Sequence, residues 1–497
     1  MSPSESSSAA TLWSRPPGIL GDIADFIYEQ APYPFIESAI AGAIAYLAGI
    51  VGRAYNVNGM GLNHYVVLIA PTGTGKDAAR TGIDKLNAAL HWQLYRLATI
   101  RKGPGFPASA QGLHKALAGN GKVPPRLCCL SVFGEIGYDF RRICDSKANI
   151  NDRGIRKMIL SLYTSSGANK ALGDLAYSNA EDNVSELIAP AWSFIGDSTP
   201  KVFYEAVDEE SIADGFLTRL SIVEFNGNKP DKNTAPDLSA VQPSVALTEW
   251  LAHLVQHVQT IETAADSTKQ YNWINVPFDD AAQSLNEEIE QVQSYNVDKF
   301  NKGYEQYLSE LWTRFREKVM RTAALLAVGV NPGNPIITPV EYEWAERFVR
   351  HGHSALIARF RSGKTGEPNY NLEQYALLKD LLTKYYNDVA NKPWTPELEK
   401  KYGLTADMCK YGVPLVTYRY ILPQLHKRAA FKNVHIGPSL ALKNTIEEFV
   451  KAGDLISLAN GKSSDNVHDP AIAEIRKTKT GDMWWIRSTI LEKSNVG

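Results

Sequence analysis

Between positions 70 and 77 the chain reads Ala-Pro-Thr-Gly-Thr-Gly-Lys-Asp, which sets two glycines and a lysine within the four residues Gly73 to Lys76. Glycine lets consecutive backbone N–H groups turn inward, and such a turn at a helix start is a concave site for anions. Lys76 adds a mobile positive charge that can reach the outer phosphates of a nucleotide. The chemistry on offer is therefore phosphate binding, with Thr72, Gly73, Thr74, Gly75, Lys76 and Asp77 as the contacts. Two residues depart from the usual G-x-x-x-x-G-K-S/T spacing: Ala70 replaces the first glycine, and Asp77 replaces the hydroxyl residue that ordinarily holds magnesium.

Other residues could act on a bound triphosphate. The run Cys128 to Phe133 ends in Gly134-Glu135, and Glu135 is suited to activate water as a general base, although it could instead cap the following helix. An Asp-Glu pair would be usual there, so the missing metal-side carboxylate is expected from Asp77, with Asp77 and Glu135 sharing Mg2+ beside ATP. Asp197, Ser198 and Thr199 stand at another strand end, where a terminal phosphate would be sensed or a turn capped. Arg219 lies at the mouth of a further strand; it could reach the γ-phosphate of a neighbouring subunit, or form a plain salt bridge. Arg141, Arg142, Arg153, Arg156 and Lys157 make a basic run that could follow a single nucleic-acid strand or be a solvated helix face.

These residues need a scaffold, and the pattern supplies one. Tyr65 to Ala70, Leu127 to Phe133, Ala191 to Ile195 and Leu220 to Phe225 are short apolar runs separated by helix-length segments. That alternation predicts an α/β fold with a mainly parallel sheet covered on both faces. Ser38 to Gly52, rich in Ala and Gly, is too short for a membrane span and reads as a buried helix. Residues 1–18 read as a disordered tail, 19–225 as the core with its N-terminal helices, 226–245 as an exposed linker and 246–361 as a helical region. Within the last, helices are expected over Tyr304 to Val328 and Val340 to Phe360.

Residues 370–490 predict a winged-helix-like domain, with an amphipathic helix over Val416 to Ala429 and another over Ser439 to Lys451. Two strands, Leu455 to Leu458 and Met483 to Arg487, flank a basic tip containing Lys462, Arg476, Lys477 and Lys479. Lys443, Asn444 and Thr445 are the candidate base contacts, with Lys427, Arg428 and Lys432 near for phosphates.

Composition bounds the function. With 44% hydrophobic and 21% charged residues among 497, the chain is globular and long enough for several domains. Its 52 basic and 54 acidic residues leave a net charge of -2, so no overall positive field draws it to nucleic acid or membrane, and any such contact must be local. The four cysteines, at 128, 129, 144 and 409, lack metal-site spacing and read as reduced thiols of a cytoplasmic protein.

Seven runs taken together, APTGTGKD, PASAQGLHKAL (107–117), SVFGEIG (131–137), SLYTSSG (161–167), WSFIGDSTP (192–200), DGFLTRL (214–220) and RTAALLAVG (321–329), resemble a known family. It is the P-loop domain of unknown function found in helicase/primase-like replication proteins of phages, plasmids and integrated elements, and the resemblance spans about residues 30 to 360. It implies a RecA-like or AAA+-like ATPase acting as a ring-shaped homo-oligomer, a hexamer by expectation, which moves along single-stranded or forked DNA and works with other replication proteins. In those terms Lys76 is the Walker lysine, Glu135 the catalytic glutamate and Arg219 the arginine finger, while Thr199 stands where the family often has Gln. An initiator or helicase loader that binds DNA or a partner without unwinding, and a nucleotide-binding scaffold without turnover, are the alternative functions.

Overall fold

The computed structural model describes residues 13–94, 101–120, 122–145, 147–175, 183–207, 209–235, 237–263, 271–302, 306–361, 370–389, 395–402, 415–432, 438–451, 454–458 and 483–486. The chain divides into two compact units, Met1–Ile357 and Ala358–Gly497.

The first unit is built on four parallel strands: β1 (Tyr65–Ile69), β2 (Cys128–Phe133), β3 (Ala191–Ser198) and β4 (Leu220–Glu224), in the order β2-β3-β1-β4. Phe133 pairs with Gly196, and Ile69 pairs with both Ser198 and Glu224, so the strands finish at one edge. Outside β2 the chain at Lys102 adds a parallel bridge to Leu130. Every residue of β1 and β4 is buried, which is why these strands read as unbroken apolar runs instead of alternating ones.

Helix α1 (Ile19–Glu29) and helix α2 (Ile36–Val51) cover one side with α3 (Ala78–Leu94), which follows the Gly-rich turn. From Ser38 onward α2 is buried throughout, as its Ala and Gly content predicts. Gly49 sits so close to the sheet that a Cβ there would lie 2.6 Å from the Leu130 Cβ. On the other side, α4 (Ile136–Cys144) and α5 (Ile150–Thr164) present apolar faces to the strands. Cys128, Cys129 and Cys144 are buried, and Cys409 lies outside the described residues. No helix among the described residues is long and apolar enough to cross a membrane.

Several boundaries differ from the sequence expectation. Residues 13–18 are not a tail: Trp13 is buried and donates to Glu37 Oε1 at 3.1 Å, while Trp344 donates to the Ser14 carbonyl at 2.9 Å. Residues 226–245 do not divide domains but fold back on the first unit. There Lys85 Nζ donates to the Leu238 and Val241 carbonyls, and Asn233 Nδ2 to those of Glu29 and Ala31. This polar segment satisfies the carbonyls left over at the end of α1. The helical region is likewise part of the first unit up to Ile357. The helix expected over Tyr304 to Val328 is two, Gln306–Trp312 and α6 (Phe315–Val330), with the break at Thr313-Arg314.

The second unit has its own apolar core, including Leu378, Leu382, Tyr385, Phe431, Leu442 and Phe449. Three short strands, Leu415–Thr417, Met483–Ile486 and Leu455–Ser457, form an antiparallel sheet with the second in the middle. The amphipathic run from Val416 begins as strand, because Thr417 ends it and caps the helix Tyr418–Leu425 by accepting from the Tyr420 N–H. Helix α7 (Pro438–Lys451) falls where expected. Lys462, Arg476, Lys477 and Lys479 lie outside the described residues.

Candidate functional site

The turn after β1 is held open by its glycines. Gly73 has φ +79° and Gly75 φ +90°, conformations that favour glycine, and a Cβ on Gly75 would lie 2.8 Å from the Tyr33 carbonyl oxygen. Thr74 Oγ1 donates to the Pro71 carbonyl at 2.8 Å and closes the turn on itself. Among the described residues, none of the backbone N–H groups from Thr72 to Asp77 donates to a protein acceptor, whereas those of Ala70 and Ala78 do. Six amides at the mouth of α3 are thus left for an outside acceptor.

Lys76 is nine-tenths buried at the centre of this edge. Its Nζ lies 2.7 Å from Glu135 Oε1 and 3.4 Å from Asp197 Oδ1. The three groups come from three neighbouring strand ends, with Asp197 on β3 between the turn after β1 and Glu135 after β2. Glu135 occupies the N-cap position of α4, but its side chain makes no capping bond there. It adopts left-handed backbone angles, φ 51° and ψ 41°, which are strained for a residue with a side chain. The Glu135 N–H donates to Asp197 Oδ1 at 3.1 Å, so Asp197 ties the strained turn to the lysine.

The remaining candidates fall elsewhere. Thr199 is the N-cap of the helix Pro200–Ala206, where its hydroxyl accepts from the Val202 N–H at 3.5 Å. Asp77 is exposed and lines a cavity beside the turn, and the carboxylate that joins Glu135 at Lys76 is Asp197 instead. No group of three or more His, Cys, Asp or Glu side chains forms a metal centre among the described residues. Arg219 directly precedes β4, whose first residue pairs with Tyr65 at the start of β1, so it stands at the sheet edge opposite the turn. Its Nη1 donates to the Gly215 carbonyl at 2.7 Å, and its guanidinium lies 6.0 Å from the Tyr163 ring centre. Among the described residues it forms no salt bridge and no contact with the Gly-rich turn, and its guanidinium lies toward Tyr163 of α5.

The basic run is divided in the same way. Arg156 is buried and ion-paired with Asp214 at 2.5 Å, and Arg142 pairs with the buried Asp152, so neither is available to a strand. Arg153 and Lys157 remain exposed on one face of α5. In the second unit Lys443 and Asn444 are exposed on α7, and Lys427, Arg428 and Lys432 are exposed ahead of it in the chain. Thr445 is buried and bonded to Gln374.

Sequence reasoning missed the cavity beside the turn. About 560 Å³ in volume, it is lined by Gly73, Gly75, Asp77, Tyr33, Lys85 and Leu238. Its far wall is the folded-back segment, and Lys229 Nζ sits 4.2 Å from the Tyr33 ring centre. Only the Pro, Asn and Lys content of 226–241 was visible in advance, and it signals exposure and not a wall. A scan of known protein families and a search of curated proteins found no match to this chain.

Proposed function

We propose that the chain binds and hydrolyses a nucleoside triphosphate, ATP by expectation, at the turn following β1. The observation that carries this reading is the convergence of six undonated amides, a buried lysine and two carboxylates at the C-terminal edge of a parallel sheet. The amides would receive the phosphate chain and Lys76 would move from its carboxylate partners to the outer phosphates. Glu135, released from Lys76, would accept a proton from the attacking water. Asp197 would keep Glu135 in place through the Glu135 N–H. The adjoining cavity is of the size ligand pockets take, and Tyr33 and Leu238 offer apolar surface for the nucleoside.

Glu135 and Asp197 supply hard oxygen donors, which fit Mg2+. When bound with the nucleotide, that ion would neutralise charge on the phosphates. Glu135→Gln is expected to retain nucleotide and lose turnover; equal turnover in the variant and the parent would refute the assignment.

The larger reading, a ring-shaped DNA translocase or helicase of a phage or other mobile element, is supported by the family resemblance together with exposed Arg153 and Lys157. A replication initiator or loader is favoured instead by exposed Lys443 and Asn444, if the second unit is a winged helix. Strand displacement on a forked duplex separates the two: a motor unwinds it when fed ATP, whereas a loader turns over ATP with single-stranded DNA and leaves the fork intact.

A further inference from the structure

Three of the sequence runs described above meet at the sheet edge that the nucleotide reading leaves unused. Tyr163 comes from residues 161–167, Arg219 from 214–220 and Arg321 from 321–329. Arg321 is fully buried, with its guanidinium 4.2 Å from the Tyr163 ring centre, and Arg219 approaches the same ring at 6.0 Å. Glu317 bridges Arg321 at 2.9 Å and Arg314 at 2.5 Å. Three guanidinium groups against the one carboxylate of Glu317 leave two positive charges in excess.

Two donors also lack acceptors. Among the described residues, the buried Nε atoms of Arg219 and Arg321 find no hydrogen-bond partner. Burying a guanidinium N–H without an acceptor is costly, and an excess of like charge adds to the cost. Arg321 spends its other nitrogens on Asn63, Tyr163 and Glu317. Arg219 and Arg314 are only partly buried, so the cluster opens to solvent on their side. Lys170 adds to the positive field: its amine is pushed down first by burial and then by Arg321.

We propose that Arg219, Arg314 and Arg321 form a binding site for a phosphate group, on the sheet edge opposite the nucleotide turn. A phosphate group, as a free dianion or as the singly charged diesters of a strand, offers acceptors for the unpaired N–H donors and charge against the excess, and arginine is the side chain whose geometry suits it. The phosphate is either free or part of a nucleic-acid backbone. The proposal is independent of the nucleotide site, since it uses none of that site's residues.

The test measures the melting temperature of the full chain in low millimolar inorganic phosphate against chloride of equal ionic strength. The proteins are the parent, Arg219→Gln, Arg314→Gln and Lys76→Ala; reading each as a difference between salts removes any change in basal stability. The parent and Lys76→Ala are expected to gain stability from phosphate, and the two arginine variants to lose most of that gain. No gain in the parent, or an equal gain in both arginine variants, overturns the site.

An anisotropy titration with fluorescent oligothymidylate then identifies the source. Binding weakened tenfold or more in Arg219→Gln and Arg314→Gln assigns the site to a strand backbone; unchanged binding, with the phosphate gain lost, assigns it to free phosphate. Recovery of ATP turnover on mixing Arg219→Gln with Lys76→Ala chains would give Arg219 to a neighbour's nucleotide and also overturn the site.

Discussion

At the scale of the residue, Glu135 and Thr199 show how a side chain's partner reveals its work. Glu135 stands where a helix cap belongs, yet its carboxylate spans to Lys76 and its backbone is strained. Strain of that kind, about 1 to 3 kcal/mol, persists only where surrounding structure holds it. Glu135→Gln is therefore expected to reduce ATP turnover by about 10² to 10⁴-fold while leaving nucleotide affinity nearly unchanged. Steady-state hydrolysis and equilibrium binding, measured on the same preparation, check both halves. Thr199 is the opposite case, a position offered both as sensor and as cap whose hydroxyl caps a helix here. Thr199→Ala should cost about 0.5 to 1 kcal/mol of stability by denaturant titration and leave nucleotide affinity alone. A loss of affinity without a loss of stability would return Thr199 to the phosphates.

At the scale of the element, helix α2 carries the sheet, and two of its glycines differ in what they meet. A Cβ on Gly49 would lie 2.6 Å from the Leu130 Cβ on β2, a contact the strand cannot yield easily. On Gly42 it would meet the terminal Cδ1 of Ile27 at 2.8 Å, which can turn away. Alanine recovers about 1 kcal/mol of helix propensity at either site, but overpacking costs about 1 to 3 kcal/mol. Gly49→Ala is therefore expected to lower the melting temperature and Gly42→Ala to lower it less or raise it. The four parallel strands were legible in the sequence because strands buried on both faces are unbroken apolar runs. The break at Thr313-Arg314 was not, since the apolar spacing continues through it, and neither was the strand Leu415–Thr417, too short to show a period of two. The turn at Gly73–Lys76 announced itself through residue types; Asp197 was legible as a strand end, but its bond to the Glu135 N–H depends on β3 lying between β1 and β2.

At the scale of the whole molecule, the division at Ile357 lies close to the break expected after residue 361, and the two units do not part near residue 225. The segment 226–245 looked like a linker because its anchors are carbonyls about 200 residues away along the chain, which no local composition records. The first unit also buries several histidines. His64 donates through Nδ1 to the Leu62 carbonyl and meets Thr322 at Nε2, and burial pushes its pKa down to about 4 from an ordinary 6.5. Burial lowers His114, His351 and His353 as well. Because the unfolded chain binds these protons more readily, their contribution to stability is complete above about pH 6.5 and is lost as pH falls toward 4. Melting temperatures recorded from pH 7.5 down to about 4.5 should decline, and His64→Gln should flatten the slope. The most direct test of the account is an equilibrium titration of the full chain with Mg2+-ATP, beside Lys76→Ala. Saturable one-site binding by the parent, weakened at least tenfold in the variant, is the expected result; no binding by the parent, or equal affinity in both, would contradict a phosphate site built on Lys76 and the turn after β1.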